Sequence, residues 1–158
     1  MIGRPFTPTL LNIENDGSGT QSASIKHERP AHQRHILIVD DEKDIAEMFG
    51  YGLRRAGLEV EVFSDPMEAL SKYKIGRYDL VLLDIRMPGM NGFELCSAIR
   101  QLEQVKVCFI SAFDIQGDMN QVLPVDASCI IRKPISIRGL VERVEKELEV
   151  KQKGGQTN

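Results

Sequence analysis

Residues 79–92 read Asp79-Leu80-Val81-Leu82-Leu83-Asp84-Ile85-Arg86-Met87-Pro88-Gly89-Met90-Asn91-Gly92, and the fold follows from how this stretch is built. Four consecutive apolar residues, Leu80 to Leu83, leave no polar face, as expected of a central strand covered on both sides. The run stops at an acid, Asp84. Met87-Pro88-Gly89-Met90 is loop chemistry, and Asn91 is suited to cap a helix bearing Phe93, Leu95, Cys96 and Ile99. Strand, acid, loop and capped helix make one βα unit.

The same unit recurs on both sides. Upstream, the apolar run His35-Ile36-Leu37-Ile38-Val39 ends in Asp40 and Asp41. Ile45, Met48, Phe49, Leu53 and Ala56 then recur at helical spacing, with Gly57 as a stop. Leu58 to Phe63 alternates apolar and charged residues, which suits a strand with one exposed face. Asp65-Pro66 opens a helix carrying Met67, Leu70 and Tyr73, with Gly76 past its end. Downstream, Val105 to Ile110 is a third central strand, ending at Ser111. A weak helix near 117–123 is cut by Pro124. Cys129-Ile130-Ile131 is the last strand, followed by Lys133-Pro134. The final helix carries the stripe Ile137, Leu140, Val141, Val144 and Leu148. Alternation of this kind over about 115 residues specifies an α/β fold with a doubly wound, five-stranded parallel sheet. Pattern alone leaves its strand order open between the flavodoxin-like 2-1-3-4-5 and the classical dinucleotide order.

The ends read differently. Residues 1–34 carry Pro5, Pro8, Pro30 and the run Asp16-Gly17-Ser18-Gly19-Thr20, and read as a largely disordered arm. Residues 35–150 form the expected domain, and 151–158 a flexible tail with Gly154-Gly155. A composition of 42% hydrophobic and 27% charged residues supports a core without metal or cross-links. A net charge of -3 argues against a nucleic-acid binder relying on a bulk positive field. No apolar run approaches the roughly 20 residues of a membrane span, and a soluble, cytoplasmic protein without membrane insertion is expected. The cysteines Cys96, Cys108 and Cys129 lack metal-ligand spacing, and the last two sit in apolar runs. Buried, reduced thiols are therefore expected. His27, His32 and His35 read as arm residues too scattered for a metal site.

The polar residues fall in one place. Asp40 and Asp41 end the first strand, Asp84 the third, Ser111 the fourth and Lys133 the fifth, all on the carboxyl edge where open α/β sheets hold ligands. Taken singly, each has a plain reading as a helix cap, turn acid, strand-end hydroxyl or loop lysine. In 2-1-3-4-5 order the first and third strands are neighbours, so the three carboxylates share a pocket with Ser111 beside Asp84. Lys133 would start roughly 10 Å away at the backbone, a gap its side chain covers in large part. Three close carboxylates repel, and a divalent cation with oxygen ligands, such as Mg²⁺, resolves the conflict. With the cation, Lys133 and Ser111 neutralising charge, a carboxylate can attack a phosphoryl group and form an aspartyl phosphate.

Ile38-Val39-Asp40-Asp41-Glu42, the segment 79–92, Ile110-Ser111-Ala112 and Lys133-Pro134 together resemble the response-regulator receiver domains of two-component systems. The resemblance covers about residues 35–149 and implies the 2-1-3-4-5 order. It implies Asp84 as phosphoacceptor, receiving from a histidine kinase or a histidine phosphotransfer protein in a phosphorelay. It further implies Asp41, Asp84 and the Arg86 carbonyl as Mg²⁺ ligands, with Asp40 acting through water. Ser111 and Lys133 would sense the phosphoryl group, and the bond before Pro134 would be cis. Self-phosphotransfer and self-dephosphorylation would be its chemistry, not turnover of a separate substrate.

Two positions depart from the family pattern. The switch position three residues before the lysine holds Ile130 where an aromatic ring is usual, and the helix near 117–123 is broken by Pro124. Phe113, two past Ser111, would hinder an attacking water and slow loss of the phosphoryl group. Output is expected through an unidentified protein partner, and a homodimer contact is compatible with the final helix. That helix mixes Arg138, Glu142, Glu145, Lys146, Glu147 and Lys151, which reads as a solvated face. The alternatives are a phospho-independent interaction scaffold and an enzyme of the same architecture. Against the enzyme, no Gly-rich phosphate fingerprint follows any strand, and Asp84-Ile85-Arg86 lacks a second acid two residues on.

Overall fold

A computed structural model describes residues 33–112 and 129–149. The arm up to residue 32, Phe113, the weak helix near 117–123 and the tail lie outside the described residues. The elements run β1 (His35–Val39), α1 (Lys43–Arg55), β2 (Glu59–Phe63), α2 (Pro66–Ser71), β3 (Leu80–Asp84), α3 (Gly92–Leu102), β4 (Val107–Ser111), β5 (Cys129–Arg132) and α4 (Ile137–Glu149). The five strands form one parallel sheet in the order β2-β1-β3-β4-β5. The expected fold class and strand order are both found.

The apolar run at 80–83 is buried throughout because the pleat sends alternate side chains into two cores. Leu80 and Leu82 join Ile36, Ile38, Cys108 and Ile110 on the face covered by Phe49 and Leu53 of α1 and Leu140 and Val144 of α4. Val81 and Leu83 join Leu37, Val39, Val107 and Phe109 under Ala69 of α2 and Leu95 and Ile99 of α3. Each fully buried Leu or Ile contributes on the order of 2 kcal/mol, so the two cores anchor the central strands while strand ends stay free for polar chemistry. Helix starts are fixed locally. Asp65 accepts from the backbone of Met67 and Glu68 ahead of Pro66, and Asn91 and Glu94 form a reciprocal capping box.

Hydrophobic spacing misjudges two helix faces. Met48 and Ala56 were expected in the buried stripe of α1, but both are exposed, as is Met67 on α2. The face of α1 that packs inward includes Gly50 and Gly52, which a count of apolar residues overlooks. A Cβ at Gly52 would lie 2.3 Å from Cγ2 of Ile137, so the missing side chain is what lets α1 meet α4. Gly52→Val should therefore cost about 1–3 kcal/mol by overpacking. Urea denaturation should show a lower midpoint with an unchanged slope.

Three further expectations are corrected. Cys108 and Cys129 are buried as expected, but they are joined in a disulfide and are not separate reduced thiols. The cause is register. The two residues are direct partners across β4 and β5, with Cα atoms 4.6 Å apart. Cys96 is not part of the disulfide, and it is buried. Glu147 is not part of a solvated face: it is buried, with Lys106 Nζ at 3.5 Å and Arg143 Nε at 3.3 Å. His35 opens β1, where its backbone N–H donates to Asp79, and so belongs to the sheet and not to the arm.

Candidate functional site

Residues at the carboxyl ends of β1, β3, β4 and β5 build the site. Asp40 directly follows β1. Its N–H donates to the Phe63 carbonyl at 3.1 Å, and its Oδ1 accepts from the Glu42 N–H at 3.0 Å. The chain is thereby held in a tight turn that leaves Oδ2 facing the neighbouring strands. Asp40 is 1% exposed, Asp84 at the end of β3 is 8% exposed, and Asp41 is open to solvent. One oxygen from each of the three carboxylates lies within 4.8 Å of the others. The adjacency of β1 and β3 produces this, as the order 2-1-3-4-5 requires.

Lys133 reaches the same place from β5. The peptide bond to Pro134 is cis, and the Lys133 N–H donates to the Ser111 carbonyl at 2.8 Å. Its Nζ lies 2.7 Å from Asp40 Oδ2, 3.6 Å from Asp84 Oδ1 and 3.5 Å from Glu42 Oε1. One ammonium thus serves three acids. Ser111 is 2% exposed at the end of β4, opposite Arg132 of β5. Arg86 lies on the exposed loop two residues past Asp84, and Ile130 is half-buried in β5, opposite Phe109.

The electrostatics of the pocket are unbalanced. Burial and the Asp40 charge push the Asp84 carboxyl up to about 6, with Asp41 adding to the effect and Lys133 opposing it. Burial pulls the Lys133 ammonium down, but the Asp40 hydrogen bond and the Asp40, Asp84 and Glu42 charges outweigh it and raise it overall. Three hard oxygen donors gathered around one nearly buried, strained acid fit a small divalent cation. The same set can present Asp84 as a nucleophile with a cation beside it.

The sequence reading passed over two residues that matter here. Glu42 supplies the third carboxylate around Lys133, and only its place beside the Asp40-Asp41 pair pointed to it. Gly92 opens α3 directly behind β3. A Cβ there would lie 2.2 Å from the backbone oxygen of Asp84, and its N–H donates to the Ile85 carbonyl at 2.9 Å. Any side chain would displace either α3 or Asp84. A glycine just after a helix cap was the available signal.

Comparison with known proteins agrees with this geometry. Residues 36–145 match the family model of the response regulator receiver domain. Sensory transduction protein RegX3 of Mycolicibacterium smegmatis is 35% identical over 109 residues, which cover 69% of this chain and 48% of RegX3. The chain thus spans about half the length of the curated relatives it matches. Response regulator TrrA of Thermotoga maritima, solved in complex with Mg²⁺–BeF, is 33% identical with a TM-score of 0.63, covering 72% of this chain and 98% of that one. The Francisella response regulator 1452 receiver domain is 28% identical with a TM-score of 0.65, covering 73% and 97%. Among the described residues no helix is long and apolar enough to cross a membrane.

Proposed function

The chain belongs to the response regulator receiver family of two-component signalling, and on that premise we propose that Asp84 accepts a phosphoryl group from a histidine kinase or a histidine phosphotransfer protein. The observation that carries this reading is the sharing of Lys133 between Asp40 at 2.7 Å and Asp84 at 3.6 Å, in a pocket that holds a third carboxylate. Asp84 is left with too little positive charge around it, so that its ionised form is costly. It is therefore poised to gain either a cation or a substituent.

Asp41, Asp84 and the Arg86 carbonyl would hold Mg²⁺, with Asp40 acting through water, and the Mg²⁺–BeF complex of TrrA supports that choice. Bound there, the ion supplies the positive charge that lets a carboxylate and a phosphoryl group approach. One oxygen of Asp84 attacks phosphorus, the bond from phosphorus to the donor imidazole nitrogen breaks, and an aspartyl phosphate remains. Lys133 turns from Asp40 toward the new phosphoryl oxygens, and the Ser111 hydroxyl donates to another of them.

The phosphoryl group adds roughly two negative charges. Lys133 carries the response along β5, where Ile130 lies beside Phe109 and has no ring to rotate. Repacking of β5 and α4 replaces that rotation and alters the face offered to a downstream protein. We locate the exchange in the cytoplasm, where donors fed by ATP are found. Intact mass of the full chain, after incubation with a small acyl phosphate and Mg²⁺, tests the proposal. One added phosphoryl group is expected, and none when a chelator is present. No added mass with both reagents present overturns it.

A further inference from the structure

The buried pair Cys108 and Cys129 plays no part in the phosphoryl chemistry, and it lies toward the opposite edge of the sheet from Asp84. Cys129 is the first residue of β5, and Cys108 is its direct partner in β4. The Glu147 carboxylate joins them, with one of its oxygens and both sulfurs within 4.8 Å of one another. Lys106 and Arg143 hold that carboxylate in place. We propose that Cys108 and Cys129 form a reversible thiol–disulfide site, exchanging with low-molecular-weight thiols and disulfides, and that its closure fastens the edge strand β5 to β4.

Both redox states are accommodated locally. As a disulfide, the pair joins Cα atoms that the sheet already places 4.6 Å apart, so closure needs no change of register. As thiols, the two S–H groups would have the Glu147 carboxylate as the polar group gathered with them. Glu147 keeps its two cationic partners in either state. Cys96 cannot compete, because it packs in the other core, under α3. Cys129 lies on the last strand of the described sheet and is 4% exposed, whereas Cys108 is fully buried.

The chemistry balances in two steps. The Cys129 thiolate attacks a small disulfide, forming a mixed disulfide and releasing one thiolate. The Cys108 thiolate then attacks the Cys129 sulfur and expels the second. Two electrons pass from the cysteine pair to the small disulfide, and the two protons finish on the released thiols. The protein disulfide closes a sequence separation of 21 residues, which includes the whole crossover into β5.

The test equilibrates the full chain in buffers of varying glutathione to glutathione disulfide ratio, followed by alkylation under denaturing conditions and mass analysis. Three adducts are expected at reducing ratios and one, on Cys96, at oxidising ratios, in a single reversible step. Cys108→Ser should instead retain one glutathione, on Cys129. Hydrogen exchange of the amides at 130–132 should accelerate on the order of a hundredfold when the wild-type pair is reduced. Three adducts at every ratio overturn the site, whether the thiols are free or holding a metal. Exchange unchanged by reduction overturns the fastening of β5.

Discussion

Asp84→Asn is expected to abolish phosphoryl uptake and, without divalent cations, to raise the stability of the fold at pH 7 by about 2 kcal/mol. The two effects share one cause. In the fold, burial and the Asp40 charge push the Asp84 carboxyl up to about 6 from an ordinary value of 3.8. The stability this group contributes is therefore fully present below about pH 4 and is lost as pH rises through 6. At pH 7 the ionised acid is a liability, which the neutral amide of asparagine removes while keeping the shape. Urea denaturation in chelator should place the variant above wild type at pH 7, and the two should converge near pH 4. Added Mg²⁺ should close the gap at pH 7 by stabilising wild type alone. A variant less stable than wild type in chelator at pH 7 would contradict the strain at Asp84. Phosphoryl mass that survives the substitution would move the acceptor elsewhere.

Lys133→Met should act in the opposite direction, lowering stability at pH 7 by about 3 kcal/mol. Methionine keeps much of the stem but removes the ammonium that lies 2.7 Å from Asp40 Oδ2. This is no surface pair: the two side chains are 10% and 1% exposed, and Asp40 would be left buried with its charge uncompensated. The Lys133 ammonium is raised in the fold, so its contribution is complete at neutral pH and fades only in strong alkali, as pH rises through its folded value. The deficit of the variant should shrink as pH falls through about 6, where Asp84 takes up a proton. Mg²⁺ should restore more stability to the variant than it adds to wild type. Chemical denaturation across pH, with and without Mg²⁺, checks both. A deficit independent of pH and of Mg²⁺ would assign the loss to packing alone.

Legibility in the sequence tracked the kind of force at work. The runs ending at Val39, Leu83 and Ile110 were plain because a strand buried on both faces has no room for a polar residue. Asp40, Asp41, Asp84, Ser111 and Lys133 were legible for a related reason, since they end those runs and the last strand. The strand order that gathers them was not, because hydrophobicity records burial and not neighbours; it came from the resemblance. The helix faces were legible only in part. Gly52 and Gly92 are buried for what they lack, and no apolar count finds a missing side chain. Cys108 and Cys129 escaped as a pair because register is a property of two strands, and each reads alone as an ordinary core residue. Glu147 looked solvated beside its charged neighbours, yet Lys106, distant in sequence, gives it a partner in the interior.

The 2.8 Å hydrogen bond from the Lys133 N–H to the Ser111 carbonyl has a consequence for the kind of signal the protein can send. The two residues proposed to sense the phosphoryl group are not independent witnesses. Each is fastened by its backbone to the other, so a displacement of one is reported by both. A backbone shift of the serine or of the lysine alone would have to break that bond at the end of a buried strand. Half-answers are thereby discouraged, and the population should divide between two conformers without passing through a continuum. Output graded by stimulus would then reflect how many molecules have switched, not how far each one has moved.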